Sequence, residues 1–144
     1  MTAGFSLPAV GHVAQPSRER TAVARANVAA FIRCRPVLLD AFSSNQSASG
    51  RAWPSRRTWT MTADVLALLA DGDADAAYLA AAGLVGEGAA VEYLTWRREA
   101  DLPDPAAVVA DPTIVAWKSL DPSRVWAVLA GVVSYSTGRG TIES

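Results

Sequence analysis

Three features of this 144-residue chain predict an all-α fold. Apolar side chains recur at three- and four-residue spacing in several separate stretches. Aspartate–proline pairs, which suit a helix start, occur at Asp104-Pro105, Asp111-Pro112 and Asp121-Pro122. Two-residue alternation, the mark of a half-buried strand, is sustained nowhere. The expectation is a compact bundle of about five to seven helices over residues 17–137. An irregular tail (1–16) and a frayed C-terminus (138–144) flank it. Alanine supplies much of the 51% apolar content, which favours close-packed helices over sheet. The chain is long enough to bury a core.

Residues 1–16 carry Gly4, Pro8, Gly11 and Pro16, which break any helix. From Ser17, a helix cap, an amphipathic stretch runs to Cys34. Val23, Ala26, Ala30 and Phe31 form its stripe, with Ala22 and Ala29 alongside and Arg18, Arg25 and Arg33 on the other side. Pro36 stops it, because proline disfavours helix in the residue before it. Val37–Phe42 reads as a short apolar turn and 43–49 (SSNQSAS) as a polar loop.

The next helix spans 56–70, with Trp59, Ala63, Leu66 and Leu69/Ala70 on one face and Met61, Val65 and Leu68 broadening it. Asp71-Gly72-Asp73 is a turn. Asp73 caps a helix expected to run through Ala82 and end at Gly83. Gly86-Glu87-Gly88 opens another, packing through Val91, Leu94 and Tyr93, with Arg97 and Arg98 at its negative end. Asp104-Pro105 starts a helix to about Ala110, Asp111-Pro112 one or two turns toward Trp117, and Asp121-Pro122 a final helix carrying Val125, Leu129 and Val132/Val133.

Charge is unevenly placed. Residues 1–58 hold eight arginines (18, 20, 25, 33, 35, 51, 56 and 57) against Glu19 and Asp40. Residues 59–144 hold five basic residues against twelve acidic ones, for a net charge of −1. Such asymmetry marks either a polyanion-facing half or a basic surface docked on an acidic neighbour, including the chain's own second half.

Several chemistries are excluded. Cys34 is the one cysteine, so no internal disulfide or multi-cysteine metal site exists. Lys118-Ser119 is the only Lys-Ser pair, and no glycine lies in 112–117, so no phosphate-cradling P-loop forms. No apolar strand ending in adjacent acids supplies a second metal-holding motif. Gly83, Gly86 and Gly88 reverse the spacing of a dinucleotide fingerprint, and no strand precedes them. His12, the one histidine, lies in the Gly/Pro tail and is read as incidental. Glu87, Glu92 and Glu99 read as helix surface. Trp53, Trp59, Trp96, Trp117 and Trp126 read as core pegs or helix-junction plugs, Trp53 lying close enough to the arginines to matter for a ligand. The longest apolar run, Val125–Val133, falls far below the ~20 residues of a membrane span. With no signal pattern at the N-terminus, the expectation is a soluble, cytoplasmic chain with no membrane partner.

One stretch runs against electrostatics. In Gly50–Met61, GRAWPSRRTWTM, Ser55 is the natural cap and Arg56 and Arg57 fall in the first turn. A helix N-terminus carries about half a positive charge and unpaired N–H groups, so acids belong there. Two arginines cost a few tenths of a kcal/mol unless something negative is near. A helix N-terminus suits an anion, and added guanidinium groups make it a better site for phosphate; on electrostatics alone, two solvated side chains are the simpler reading.

Resemblance shifts that balance. GRAWPSRRTW, followed by VGEGAAVEYLTW and DLPDP, resembles the C-terminal helical portion of MoxR-like AAA+ ATPases, and the likeness covers roughly Ser17–Val133. In that family a similar tryptophan–proline–serine segment opens a lid helix carrying the sensor 2 arginine, which reaches the phosphates of bound ATP. The family pattern has proline and then arginine after the serine. Here Arg56 takes the proline slot and Arg57 the arginine slot, so the resemblance makes Arg57 the phosphate contact, with Arg56 assisting or substituting. Ser55, Trp53 and Trp59 support the helix start. It implies that the chain is a lid portion without its nucleotide-binding core. It would need no cofactor of its own, with ATP and magnesium entering only in a complete ATPase, and would be no enzyme in isolation. The partner would be an AAA+ core.

The alternative is a small helical interaction module that docks on another protein through its basic N-terminal half, using Arg18, Arg25 and Arg33. Nucleic-acid binding through the same half ranks last, because the second half is strongly acidic and no recognition-helix pattern stands out.

Overall fold

The computed structural model describes residues 15–42 and 51–140, with side chains through Thr137. The described residues form six α-helices and no strand, so the chain is all-α. The polar stretch 43–49, His12 and most of the expected N-terminal tail lie outside the described residues, as do residues 141–144.

Helix α1 (Arg18–Cys34) begins where the Ser17 hydroxyl accepts the Arg20 N–H at 3.1 Å. It stops at Arg35, whose N–H closes on the Phe31 and Ile32 carbonyls before Pro36 forbids continuation. A single 3₁₀ turn, Pro36–Leu38, follows. Helix α2 (Arg56–Leu68) leads through the Asp71–Asp73 turn into α3 (Ala74–Val85), capped by the Asp73 carboxylate on the Ala76 N–H. Helix α4 (Glu87–Ala100) follows after Gly86 alone and ends at Asp101 in the left-handed region. Helix α5 (Pro105–Ala110) starts with the expected Asp104 cap and Pro105 in its first turn. Asp111-Pro112 yields only two 3₁₀ turns, Pro112–Ile114 and Trp117–Ser119, short of a regular helix. Helix α6 (Pro122–Gly140) opens with Asp121 accepting from the Ser123 and Arg124 N–H groups, and continues beyond the expected limit of residue 137.

Helix α1 is the spine. It packs along α6 on one side and along α2 on the other, while α3 joins α2 to α4 and α5 leans on α6. Helix α6 runs antiparallel to α1: the Arg33 guanidinium near the end of α1 lies over Trp126 near the start of α6. The main core is aromatic. Phe31 meets Trp59 at 5.6 Å, Tyr93 at 5.3 Å and Trp96 at 5.6 Å between ring centroids. Tilted and edge-on pairs of this kind add about 0.5–1.5 kcal/mol each beyond their buried area. A second, smaller cluster forms from Val108, Val115 and Val128 with Leu102, Trp117 and Leu120.

The arrangement corrects several expectations. Helix α1 buries Ala26, Ala30 and Phe31 as its stripe requires, but also Val28, because a helix held between two partners hides two faces. Gly83 does not end α3; the break falls at Gly86, with φ +88°. In α4 Ala89, Ala90, Tyr93 and Ala100 are buried and Leu94 is partly buried, while Val91 is half exposed. Met61 and Leu68 of α2 face solvent, while Thr62 and Ala67 are buried; the Thr62 hydroxyl is satisfied by the Thr58 carbonyl at 2.8 Å. Of the five tryptophans only Trp59 is fully buried, and Trp53 and Trp126 are exposed.

Candidate functional site

The chain enters α2 through Arg51–Ser55, and three contacts set that approach. Pro54 is buried, and its carbonyl accepts the Ala41 N–H at 3.1 Å, pairing the loop with the chain that leaves the Pro36–Leu38 turn. Ala52 lies against the α3–α4 junction, where a Cβ on Gly86 would come within 2.8 Å of its carbonyl oxygen. Trp59, one turn into α2, donates from Nε1 to the Leu38 carbonyl at 2.6 Å and fixes the helix rotationally.

Ser55 caps the helix as expected, within a reciprocal box. The Thr58 N–H donates to Ser55 Oγ (3.2 Å), and the Ser55 N–H donates to Thr58 Oγ1 (2.8 Å). The Thr58 hydroxyl also reaches the Trp53 carbonyl at 3.1 Å. Two of the orphan amides are thereby satisfied. The N–H groups of Arg56 and Arg57 have no acceptor among the described residues, and the first turn contains no acid.

Both guanidinium groups are exposed, and neither forms an ion pair among the described residues. Three other arginines of the basic half differ, whereas Arg18 and Arg33 likewise form no ion pair among the described residues. Arg20 pairs with Asp71 at 3.2 Å, and Arg35 approaches Glu92 at 3.8 Å. Arg25 clamps Asp64 through two bonds of 2.8 and 2.9 Å, and the hydrogen bond from Arg25 holds the Asp64 carboxyl below its ordinary range despite partial burial. Three arginines of the basic half therefore dock on acids of the chain's own second half. The pair at the mouth of α2 does not.

The two candidates diverge in direction. Successive residues point about 100° apart around a helix. Arg56 borders a cleft of about 350 Å³ between α1 and α2, floored by Val28, Ile32, Leu39 and Ala63, whereas Arg57 lies outside it. Trp53 turns its ring edge-on to Phe42 at 5.2 Å and stacks on neither arginine. Trp59 is 2% exposed, so it positions the helix and touches no ligand. Sequence reasoning missed Thr58 and Gly86. The Ser-x-x-Thr spacing signalled the first; the second is a tertiary contact with Ala52 that no local pattern announces.

Among the described residues no group of three His, Cys, Asp or Glu side chains is placed to hold a metal ion, and no helix is long and apolar enough to cross a membrane. Comparison with protein-family models, with curated proteins and with solved structures gives no match for this chain.

Proposed function

We propose that this chain serves as the lid portion of a MoxR-like AAA+ ATPase, contributing Arg57, assisted by Arg56, to phosphate contact. The observation that carries the reading is the unpaired state of these two cations at a capped helix mouth. Arginines at that end are repelled by the helix field and no carboxylate of the described residues offsets them, a cost that an external anion would relieve. The open amides of Arg56 and Arg57 suit phosphate oxygens in the same place.

ATP with magnesium supplies the phosphoryl group to be transferred, held by a P-loop core that this sequence does not contain. The chain's own part is narrower. Ser55 and Thr58 hold the first turn in register, Trp59 locks its rotation, and the Arg57 guanidinium offsets charge that grows on the phosphoryl oxygens. Movement of the helix would then report nucleotide state. The chain would be no enzyme in isolation, and its partner would be the core.

The test uses both states. With a P-loop core supplied, Arg57→Ala lowers turnover by about 10²–10³-fold, the scale set by removing one charge-stabilising donor, and Arg56→Ala has the smaller effect. The purified chain alone shows no turnover. ATP hydrolysis by the isolated chain, abolished by substituting these arginines, would refute the reading.

A further inference from the structure

We infer that the face shared by α1 and α6 docks an acidic, amphipathic helix of a partner protein. Trp126, Leu129 and Val133 fall at i, i+3 and i+7 on α6, so they share one stripe. They are 55%, 43% and 60% exposed, although neighbouring residues of the same helix are buried against α1 and α5. No charged residue interrupts α6 between Val125 and Thr137.

Beside this stripe lies the exposed edge of α1 that carries Arg33 and, about four helical turns earlier, Arg18, whereas Arg25 turns toward α2. The basic edge meets the stripe at Trp126, where the Arg33 guanidinium lies 4.9 Å from the ring centroid. Asp64 neutralises Arg25, whereas Arg18 and Arg33 have no carboxylate partner among the described residues. An apolar stripe with one basic edge is complemented by a helix bearing apolar residues at matching spacing and carboxylates along one flank. A phosphate-rich surface fits less well. The chain as a whole carries a charge of −1, and residues 59–144, which include α6, hold twelve acids against five bases. A bilayer or nucleic acid would meet that repulsion, whereas a short helix confines its charge to the basic edge. The inference stands apart from the lid reading, because neither Arg56 nor Arg57 takes part.

The test titrates the full chain into a fluorescein-labelled synthetic peptide of about five helical turns, with leucines at i, i+3 and i+7 and glutamates on one flank, followed by anisotropy. Saturable binding is expected, weakened about tenfold or more by Leu129→Asp and by Arg33→Glu, reduced by salt, and absent for a peptide with lysine in place of glutamate. Arg57→Ala leaves it unchanged. Circular dichroism melts check that each variant is folded; if Leu129→Asp fails that check, Val133→Ser replaces it. Absence of binding, equal binding of the charge-reversed peptide, or binding indifferent to both substitutions overturns the inference. So does tighter binding of duplex DNA or phosphatidylserine vesicles through the same residues.

Discussion

The Trp59 indole donates its N–H to the Leu38 carbonyl at 2.6 Å, tying the first turn of α2 to the 3₁₀ turn that follows α1. This bond does two things. It satisfies a polar atom inside an aromatic core, and it sets the rotation of the helix that carries Arg56 and Arg57. Trp59→Phe keeps a ring but deletes the donor and part of the volume. The expected loss is about 1–3 kcal/mol, from an unsatisfied carbonyl plus a cavity. Urea unfolding checks it, and an unchanged midpoint would mean that the bond contributes nothing net.

Two glycines separate conformational need from empty space. Gly86 sits at φ +88°, and an added Cβ would meet the Ala52 carbonyl oxygen at 2.8 Å. Gly83, three residues earlier and inside α3, has nothing within 4 Å of such a Cβ. Gly86→Ala is expected to cost about 1–3 kcal/mol through strain, and also to displace the loop that enters α2. Gly83→Ala is expected to stabilise by roughly 0.5–1 kcal/mol, since alanine favours a helix interior. Melting both variants side by side tests the contrast; equal shifts would contradict it.

Tyr93 is buried against Phe31 and Trp59, and burial pushes its hydroxyl up from 10.0 to about 12, opposed by the charge of Arg97. The neutral form is therefore favoured by folding. Its stabilisation is full below pH 10 and is lost as pH rises from 10 toward 12, because the unfolded chain releases this proton first. A shift of this size corresponds to about 2–3 kcal/mol. Tyr93→Phe should flatten the alkaline limb of the stability profile between those values. Asp64 acts at the other end. Its carboxyl is lowered by the Arg25 hydrogen bond, so the pair stabilises above the ordinary aspartate range near 3.8 and is lost on acidification below it. Both partners are substantially exposed, so that contribution is small.

Local rules made the helix starts legible. Ser17, Ser55, Asp73 and Asp104 each cap the helix that follows, because capping depends only on residues two or three positions apart. Faces were less legible. Val28 and Ala67 escaped a one-stripe reading because α1 and α2 each pack against two neighbours, and Val91 was misplaced because Tyr93 carries the buried face of α4. The position of Arg56 and Arg57 at a helix mouth follows from the sequence. Their lack of carboxylate partners among the described residues does not, since Arg20, Arg25 and Arg35 found theirs through tertiary packing with Asp71, Asp64 and Glu92.

The lid reading places stability and function in opposition at Arg57. Without an anion, a guanidinium in the first turn of α2 faces the positive end of the helix field, and no acid in that turn offsets it. Arg57→Glu should therefore stabilise the isolated chain by about 0.3–1 kcal/mol at low ionic strength. The gain should shrink in high salt, where exposed charges are screened. The cap provides the control: Ser55→Ala removes the acceptor for the Thr58 N–H and should destabilise by about 0.5–2 kcal/mol, whatever anion is present. Thermal melts with and without inorganic triphosphate separate the two. Triphosphate should raise the midpoint of the parent chain, and of Ser55→Ala to the extent that its helix mouth survives, but not that of Arg57→Glu. If triphosphate raises the midpoint of Arg57→Glu as much as that of the parent chain, the arginine is not the phosphate contact, and its place at the helix mouth is a cost without a ligand to offset it.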